Sequence, residues 1–398
     1  MTAVHAEGRP DIPAELVFDY DMYWDDRIAA DPHEGWLALR AETPDVFYTP
    51  RNGGHWVAVG TDAITAILRT PSTFSNSNQL IPKRDAMPRM IPESLDPPEH
   101  LLYRRLMMTY FEPKAIAHLR TQAEQMVDSL IAEVRDKGEC EFVWSIARPM
   151  PVKVFMQFVG FPLERFEDFV GMIDAYFGGR TPETAAPILA AIDDLIEEKK
   201  RHDTGDIFSR LVRAEFQGRL LTHEELQSMG FLLFLAGLDT VTTGMAYGIR
   251  HLARFPEHQE ELRRSPELIP NAVEELLRAY TYTSVPRLIT QDVELCGAPM
   301  KAGDMVLPLL AFVGRDGSLN ERPDQVDFHR EKRTHFAFGS GGHTCLGRHL
   351  AKLELNVLYE RWLAQMPTFR LDESKQVGRV RGGSVTEMPH VWLTWQPQ

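Results

Sequence analysis

A chain of 398 residues, 43% of them hydrophobic, can bury a large core, and its length alone would permit two or three domains. Its net charge of −14 argues against a nucleic-acid partner, because phosphate binding needs clustered positive charge. The 3 cysteines, Cys140, Cys296 and Cys345, lack paired spacing, which excludes a disulfide framework and fits a reducing compartment.

The first residues, MTAVHAEGRPDIPAEL, carry neither a basic nor an apolar leader pattern. The longest unbroken apolar stretch, Phe231 to Leu238, falls short of the roughly 20 residues that cross a bilayer. The expectation is a cytoplasmic protein with no membrane attachment. No internal repeat or Ser/Gly linker divides the chain, so one domain over 1–398 is expected.

Val46–Tyr48 and Trp56–Val59 flank Pro50-Arg-Asn-Gly-Gly54 and predict a hairpin, followed by a helix over Thr61–Arg69. Ser75–Pro98, rich in Pro, Asn and charge, reads as a long loop able to cover a pocket. Helical periodicity then marks Leu101–Tyr110, Pro113–Asp136, Val152–Val159, Glu164–Tyr176, Ala185–Arg201 and Asp206–Glu215. Thr222-His-Glu-Glu225 has the form of a capping box and opens a long helix running to Phe255. Helices over Pro256–Ser265 and Ile269–Ala279 follow, then short strands at Val293–Cys296 and Met305–Leu310. Val385–Trp395 reads as a final hairpin, so the chain is mainly α with a minor β part.

Chemistry concentrates near the C-terminus, in Phe338-Gly-Ser-Gly-Gly-His-Thr-Cys345-Leu-Gly347. An apolar helical pattern from Leu350 to Trp362 follows, which puts Cys345 in a glycine-rich loop feeding a helix. Free N–H groups and the helix dipole favour a thiolate there. Phe338 offers an apolar cover, Gly341 and Gly347 allow close or left-handed backbone, and His343 can reach an anionic group beside the sulfur. A lone cysteine is ordinarily a small buried hydrophobe. The joint pattern is what a cysteine-ligated heme iron requires.

The run resembles the heme-binding signature of the cytochrome P450 family, the heme-thiolate monooxygenases. The likeness extends over essentially the whole chain, nearest the soluble bacterial camphor hydroxylase type. It implies the P450 fold, with heme b held between a long central helix and the loop of Cys345, the metal ligand. Ala236-Gly-Leu-Asp239-Thr240 interrupts the long helix and resembles the family's oxygen-activation motif. An isolated Gly-x-Asp-Thr would ordinarily be a satisfied kink. The resemblance instead makes Thr240 the hydroxyl that bonds dioxygen and Asp239 the acid that relays protons, with Ala236 and Gly237 keeping the helix thin.

Glu275-Leu-Leu-Arg278, with Arg330, matches the family's buried network on the cysteine side of the heme, although such an i, i+3 pair is usually a surface salt bridge. His100, Arg104, Arg287 and His343 match partners of the heme propionates. The camphor type has a tyrosine in the loop before the Asp-Pro-Pro turn; Phe74–Asp96 here contains none. Met87 and Met90 take its place, which suits an adaptable apolar pocket completed by Leu232, Leu235, Ala236 and Val285. Gly382 and Gly383 stand where the pattern has bulkier pocket residues and are expected to leave room.

These features imply a monomeric monooxygenase using O2 on a small apolar, terpenoid-like substrate. Electrons come from NADH through a ferredoxin reductase and a [2Fe–2S] ferredoxin docking around Arg104 and Arg105. A peroxide-driven peroxygenase and a heme-based sensor or ligand carrier are the alternatives, and the Asp239-Thr240 pair argues against both.

Overall fold

The turn at 50–54 reverses the chain because three successive residues take left-handed backbone, Asn52 (φ 53), Gly53 (φ 85) and Gly54 (φ 81). It joins β1 (Val46–Thr49) to β2 (His55–Ala58) in antiparallel register. This computed structural model describes residues 9–85, 87–237 and 240–397.

Before the hairpin lies α1 (Pro32–Glu42), capped by the Asp31 carboxylate, which accepts from the N–H of His33 and Glu34. After it come α2 (Thr61–Arg69) and β3 (Phe74–Ser75), and then the predicted long loop. The helical body begins with α3 (Glu99–Phe111), α4 (Pro113–Ile116) and α5 (Leu119–Val134). The expected single helix over 113–136 is therefore two, closed by a 3₁₀ turn ending at left-handed Gly138. Next are β4 (Glu139–Glu141), α6 (Pro149–Val159), α7 (Phe166–Gly179), α8 (Pro182–Arg201) and α9 (Ile207–Leu211). Strands β5 (Glu215–Phe216) and β6 (Arg219–Leu220) form a small hairpin where the pattern predicted the end of a helix.

The capping box at Thr222 and Glu225 is present and opens α10 (His223–Ala236). The Gly237 N–H closes that helix on the Leu233 carbonyl at 3.1 Å, and α11 (Thr240–Arg254) follows. The predicted long helix is described as α10 and α11, on either side of residues 238 and 239, which lie outside the described residues. The stretch 223–254 is apolar enough to cross a membrane by composition, but 81% of its most apolar window is buried by protein, as in a core helix. After α12 (Pro256–Arg264), α13 (Ile269–Ala279) has the predicted bounds.

The remaining elements are β7 (Arg287–Ile289), β8 (Val293–Leu295), β9 (Ala298–Met300), β10 (Met305–Pro308), α14 (Ala311–Gly314), α15 (Arg348–Gln365), β11 (Phe369–Leu371) and β12 (Trp392–Trp395). A five-stranded sheet runs β1-β2-β10-β7-β3, with β10 parallel to β2, and packs with α1 and α2 around Trp36, Phe47, Trp56, Ile64 and Val306. The helices form a larger core around Met107, Phe234, Met245, Leu358 and Trp362. The expected final hairpin is not one. β12 pairs instead with β11 and β4, and residues 381–387 form a turn that leans on the segment before β7 through Thr283 and Val385.

Candidate active site

Cys345 lies three residues before α15, with its N–H donating to the Phe338 carbonyl at 2.8 Å. Its side chain has an open surface, yet protein surrounds it so completely that burial pushes the thiol up to about 11. The Gly347 N–H and the charges of Arg104 and Arg348 pull the other way and do not win. In the free thiol desolvation thus outweighs the expected help from the loop N–H groups, and a coordinated cation favours the ionised sulfur.

Gly341 is left-handed (φ 75), and a Cβ there would stand 2.9 Å from the Leu68 carbonyl, so only glycine lets the loop cross α2. Gly347 has ordinary backbone (φ −76), and a Cβ there would stand 3.9 Å from the Cys345 sulfur, an ordinary contact. It therefore contributes an N–H rather than left-handed backbone. Arg69 at the end of α2 donates to the Ser340 hydroxyl at 3.2 Å and braces the loop, a contact that nothing in the local pattern signals.

His100 and His343 stack with ring centroids 3.9 Å apart. Both nitrogens of His100 and Nε2 of His343 are buried with no hydrogen-bond partner among the described residues. Burial, reinforced by Arg104, pushes His100 down to about 4, and burial with His100 and Arg287 pushes His343 down to about 3. Both rings are neutral at pH 7. Arg287 is buried with its Nη1 on the carbonyls of Val285 (2.8 Å) and Pro286 (2.9 Å), and desolvation lowers it to about 10. Arg104 is half-buried and donates to the Thr344 carbonyl. It faces the cysteine loop rather than solvent, which corrects its expected place in a docking surface.

On α10, Ala236 is open although the helix around it is buried. Leu232, one turn earlier, is buried but belongs to neither core cluster, whereas Leu235 packs into the main core. Thr240 is half-buried and donates to the Ala236 carbonyl at 3.1 Å. Asp239 lies outside the described residues. A Cβ on Gly237 would come within 2.5 Å of the Phe155 ring, so this glycine admits α6 rather than a ligand. Met87 and Met90 are half-buried against the main core, and Val285 is half-buried beyond either core.

The expected room at Gly382 is filled: a Cβ there would lie 2.1 Å from the Met22 carbonyl, and the Gly382 N–H donates to Tyr23 at 2.9 Å. Gly383 (φ 133) lies against the Tyr23 ring. These glycines accommodate the N-terminal segment, which sequence proximity does not reveal.

Glu275 and Arg278 are fully buried. Arg278 donates to both Glu275 oxygens (2.9 and 2.8 Å) and to the carbonyls of Gly314, Pro323 and Gln325. Arg330 donates to both Glu275 oxygens at 3.1 Å, and the Asp327 N–H adds a further bond at 3.0 Å. The network fastens the 314–330 segment to α13. Arg333, 3.6 Å from Glu275, is a third cation that the motif did not indicate.

The donor set fits heme b. Unsatisfied buried imidazole nitrogens and a buried guanidinium suit its carboxylates, while an enclosed but open thiol suits its iron.

The comparisons agree with the geometry. The cytochrome P450 family profile matches residues 183–379. The chain is 32% identical to probable cytochrome P450 127A1 of Sinorhizobium fredii, over 96% of each. It is 33% identical to nocardicin C N-oxygenase of Nocardia uniformis, over 93% of this chain and 97% of the relative. The crystal structure of CYP101J2 superposes with a TM-score of 0.91 at 32% identity, covering 97% of this chain and 99% of the other. The chain belongs to the cytochrome P450 family. It is a heme-containing P450 monooxygenase with the mainly α fold that the motifs implied.

Proposed function

We propose that this P450, a single domain, hydroxylates a small apolar, terpenoid-like substrate with electrons from NADH, passed through a ferredoxin reductase and a [2Fe–2S] ferredoxin. The observation that carries the site assignment is the pair of buried imidazoles, His100 and His343, with ring nitrogens unsatisfied among the described residues, near the buried guanidinium of Arg287 and the thiol of Cys345. Bound heme b supplies reductive activation of O2 and insertion of one oxygen atom. Cys345 holds the iron, and Phe338, Gly341 and Gly347 shape its loop. His100, His343, Arg104 and Arg287 hold the carboxylates.

Thr240 holds a proton at its Oγ1, now resting on the Ala236 carbonyl, and Asp239 exchanges protons with solvent. Leu232, Ala236, Val285, Met87 and Met90 exclude water from the substrate, with Leu235 supporting them from the core. Glu275, Arg278 and Arg330 fix the segment leading into the cysteine loop.

The ferredoxin reads the expected face with Arg105 kept and Arg104 turned inward. On α3, Leu101 (42% exposed), Leu102 (38%), Arg105 and Met108 (43%) form an exposed face on the helix that carries His100 and Arg104. Arg105 makes no ion pair among the described residues. An apolar patch around one unpaired cation suits an acidic, partly apolar partner.

Reconstitution with NADH, ferredoxin reductase and ferredoxin over a terpenoid panel tests the reading. Product in proportion to NADH is expected. Product formed only with added peroxide would assign a peroxygenase, and ligand binding without turnover a carrier.

A further inference from the structure

Helix α7 ends at Gly179, and its terminal carbonyls are met by guanidinium groups from two other segments. Arg84, in the long loop, donates to Gly179 (3.2 Å) and Arg180 (2.6 Å). Arg381, in the C-terminal turn, donates to Phe177 at 3.1 Å. Both satisfy carbonyls left open at a helix end, where the dipole favours cations. Arg148 pairs with Asp174 nearby. Each of these three arginines has a polar or charged partner.

Arg180 does not. It follows Gly178 and Gly179 yet takes the left-handed position itself (φ 49), a conformation that costs a residue with a side chain. Its guanidinium carbon lies 5.1 Å over the Phe177 ring, and its Nε is buried with no hydrogen-bond partner among the described residues. It forms no ion pair among the described residues. A buried guanidinium nitrogen left unsatisfied is costly unless a ligand completes it.

The acid placed to neutralise it is Glu387, at the base of the C-terminal turn, where its N–H donates to the Arg381 carbonyl. Burial raises that carboxyl above its usual range, while Arg381, Arg180 and Arg148 lower it and Asp174 raises it. The cluster of Arg84, Arg148, Arg180 and Arg381 thus outweighs Asp174 and Glu387, on a chain whose net charge is −14.

The segments that bring these charges together also carry apolar groups. Met87 and Met90 follow Arg84, Phe177 lies under Arg180, and Val385 lies on the turn between Arg381 and Glu387. We propose that Arg180 receives the carboxylate of an amphipathic substrate, an apolar ring system or chain ending in a carboxylic acid, whose apolar body extends past Met87 and Met90 toward Ala236. This rests on the monooxygenase reading above and narrows its substrate from a neutral apolar compound to an apolar acid.

The test compares acids with their own methyl esters, dodecanoic acid and abietic acid each against its ester, by calorimetry and by heme spin-state titration. The wild-type protein is expected to bind at least one acid roughly tenfold more tightly than its ester, the scale of one charge-assisted hydrogen bond. Arg180→Gln should abolish that preference, and Arg264→Gln, an exposed control on α12, should keep it. Arg180→Gly should abolish it too without loss of stability, because glycine relaxes the left-handed position. Equal binding of acid and ester, absence of acid binding, or a preference that survives both Arg180 variants overturns the proposal. A red-shifted Soret band of the carbon-monoxide complex, measured on the same samples, reports separately whether the heme–thiolate reading stands.

Discussion

His100 and His343 stack face to face at 3.9 Å, and three of their ring nitrogens are buried without a partner among the described residues. Neither ring is charged at neutral pH, since burial holds them near 4 and 3. In the proposed heme site they serve the carboxylates as N–H donors, with the positive charge supplied by Arg104 and Arg287. His343→Phe keeps the stack and removes the donor. A hydrogen bond to a charged acceptor is worth about 1.5–3 kcal/mol, so heme affinity should fall roughly tenfold or more. Heme transfer to apomyoglobin measures this, and an unchanged transfer rate would remove the histidines from the propionate set.

Glu275→Gln leaves Arg278 and Arg330 buried without their counter-charge. Breaking one side of such a network costs about 3–5 kcal/mol, and urea unfolding should show a loss of that size. Arg278→Lys should also destabilise, because an ammonium cannot span both Glu275 oxygens and the carbonyls of Gly314, Pro323 and Gln325. Stability within about 0.5 kcal/mol of wild type in both variants would contradict a scaffold role.

Gly382→Ala separates two readings of the C-terminal turn. A pocket glycine would tolerate the methyl group and change only ligand affinity. The 2.1 Å approach to the Met22 carbonyl predicts overpacking instead, a loss of about 1–3 kcal/mol in chemical denaturation. An equally stable variant with altered substrate binding would restore the pocket reading.

His55 is 1% exposed, and desolvation pushes it down to about 4. Its folded pKa lies below its unfolded value, so the unfolded chain binds more protons between the two. Stability is fully present above roughly 6.5 and is lost as pH falls from there toward about 4. His55→Phe should reduce the slope of unfolding free energy in that window by about one proton, or ~1.4 kcal/mol per pH unit. An unchanged slope would show that His55 already titrates normally.

The parts of the site that share a short stretch of sequence were readable before the structure. The left-handed Gly341 beside Cys345, the Glu275–Arg278 pair and the Thr222 cap each depend on local spacing, and α13 has the predicted bounds. What escaped depends on distant neighbours. Gly382 answers to Met22, Gly237 to Phe155, and Ser340 to Arg69, all remote in the chain. Arg104 and Arg105 look alike as a pair of adjacent cations, yet one turns inward to Thr344 and the other stays exposed. Helix α1 was missed because its apolar residues, Trp36 and Leu39, are few and lie among charges.

Thiolate ligation of heme iron by Cys345 is the claim on which the rest depends. The direct measurement is the absorption spectrum of the ferrous carbon-monoxide complex of the wild-type protein and of Cys345→Ala, each loaded with heme. The account predicts a strongly red-shifted Soret band in the wild type and its complete loss in the variant. An unshifted band in the wild type, or a red-shifted one that survives in Cys345→Ala, would contradict it.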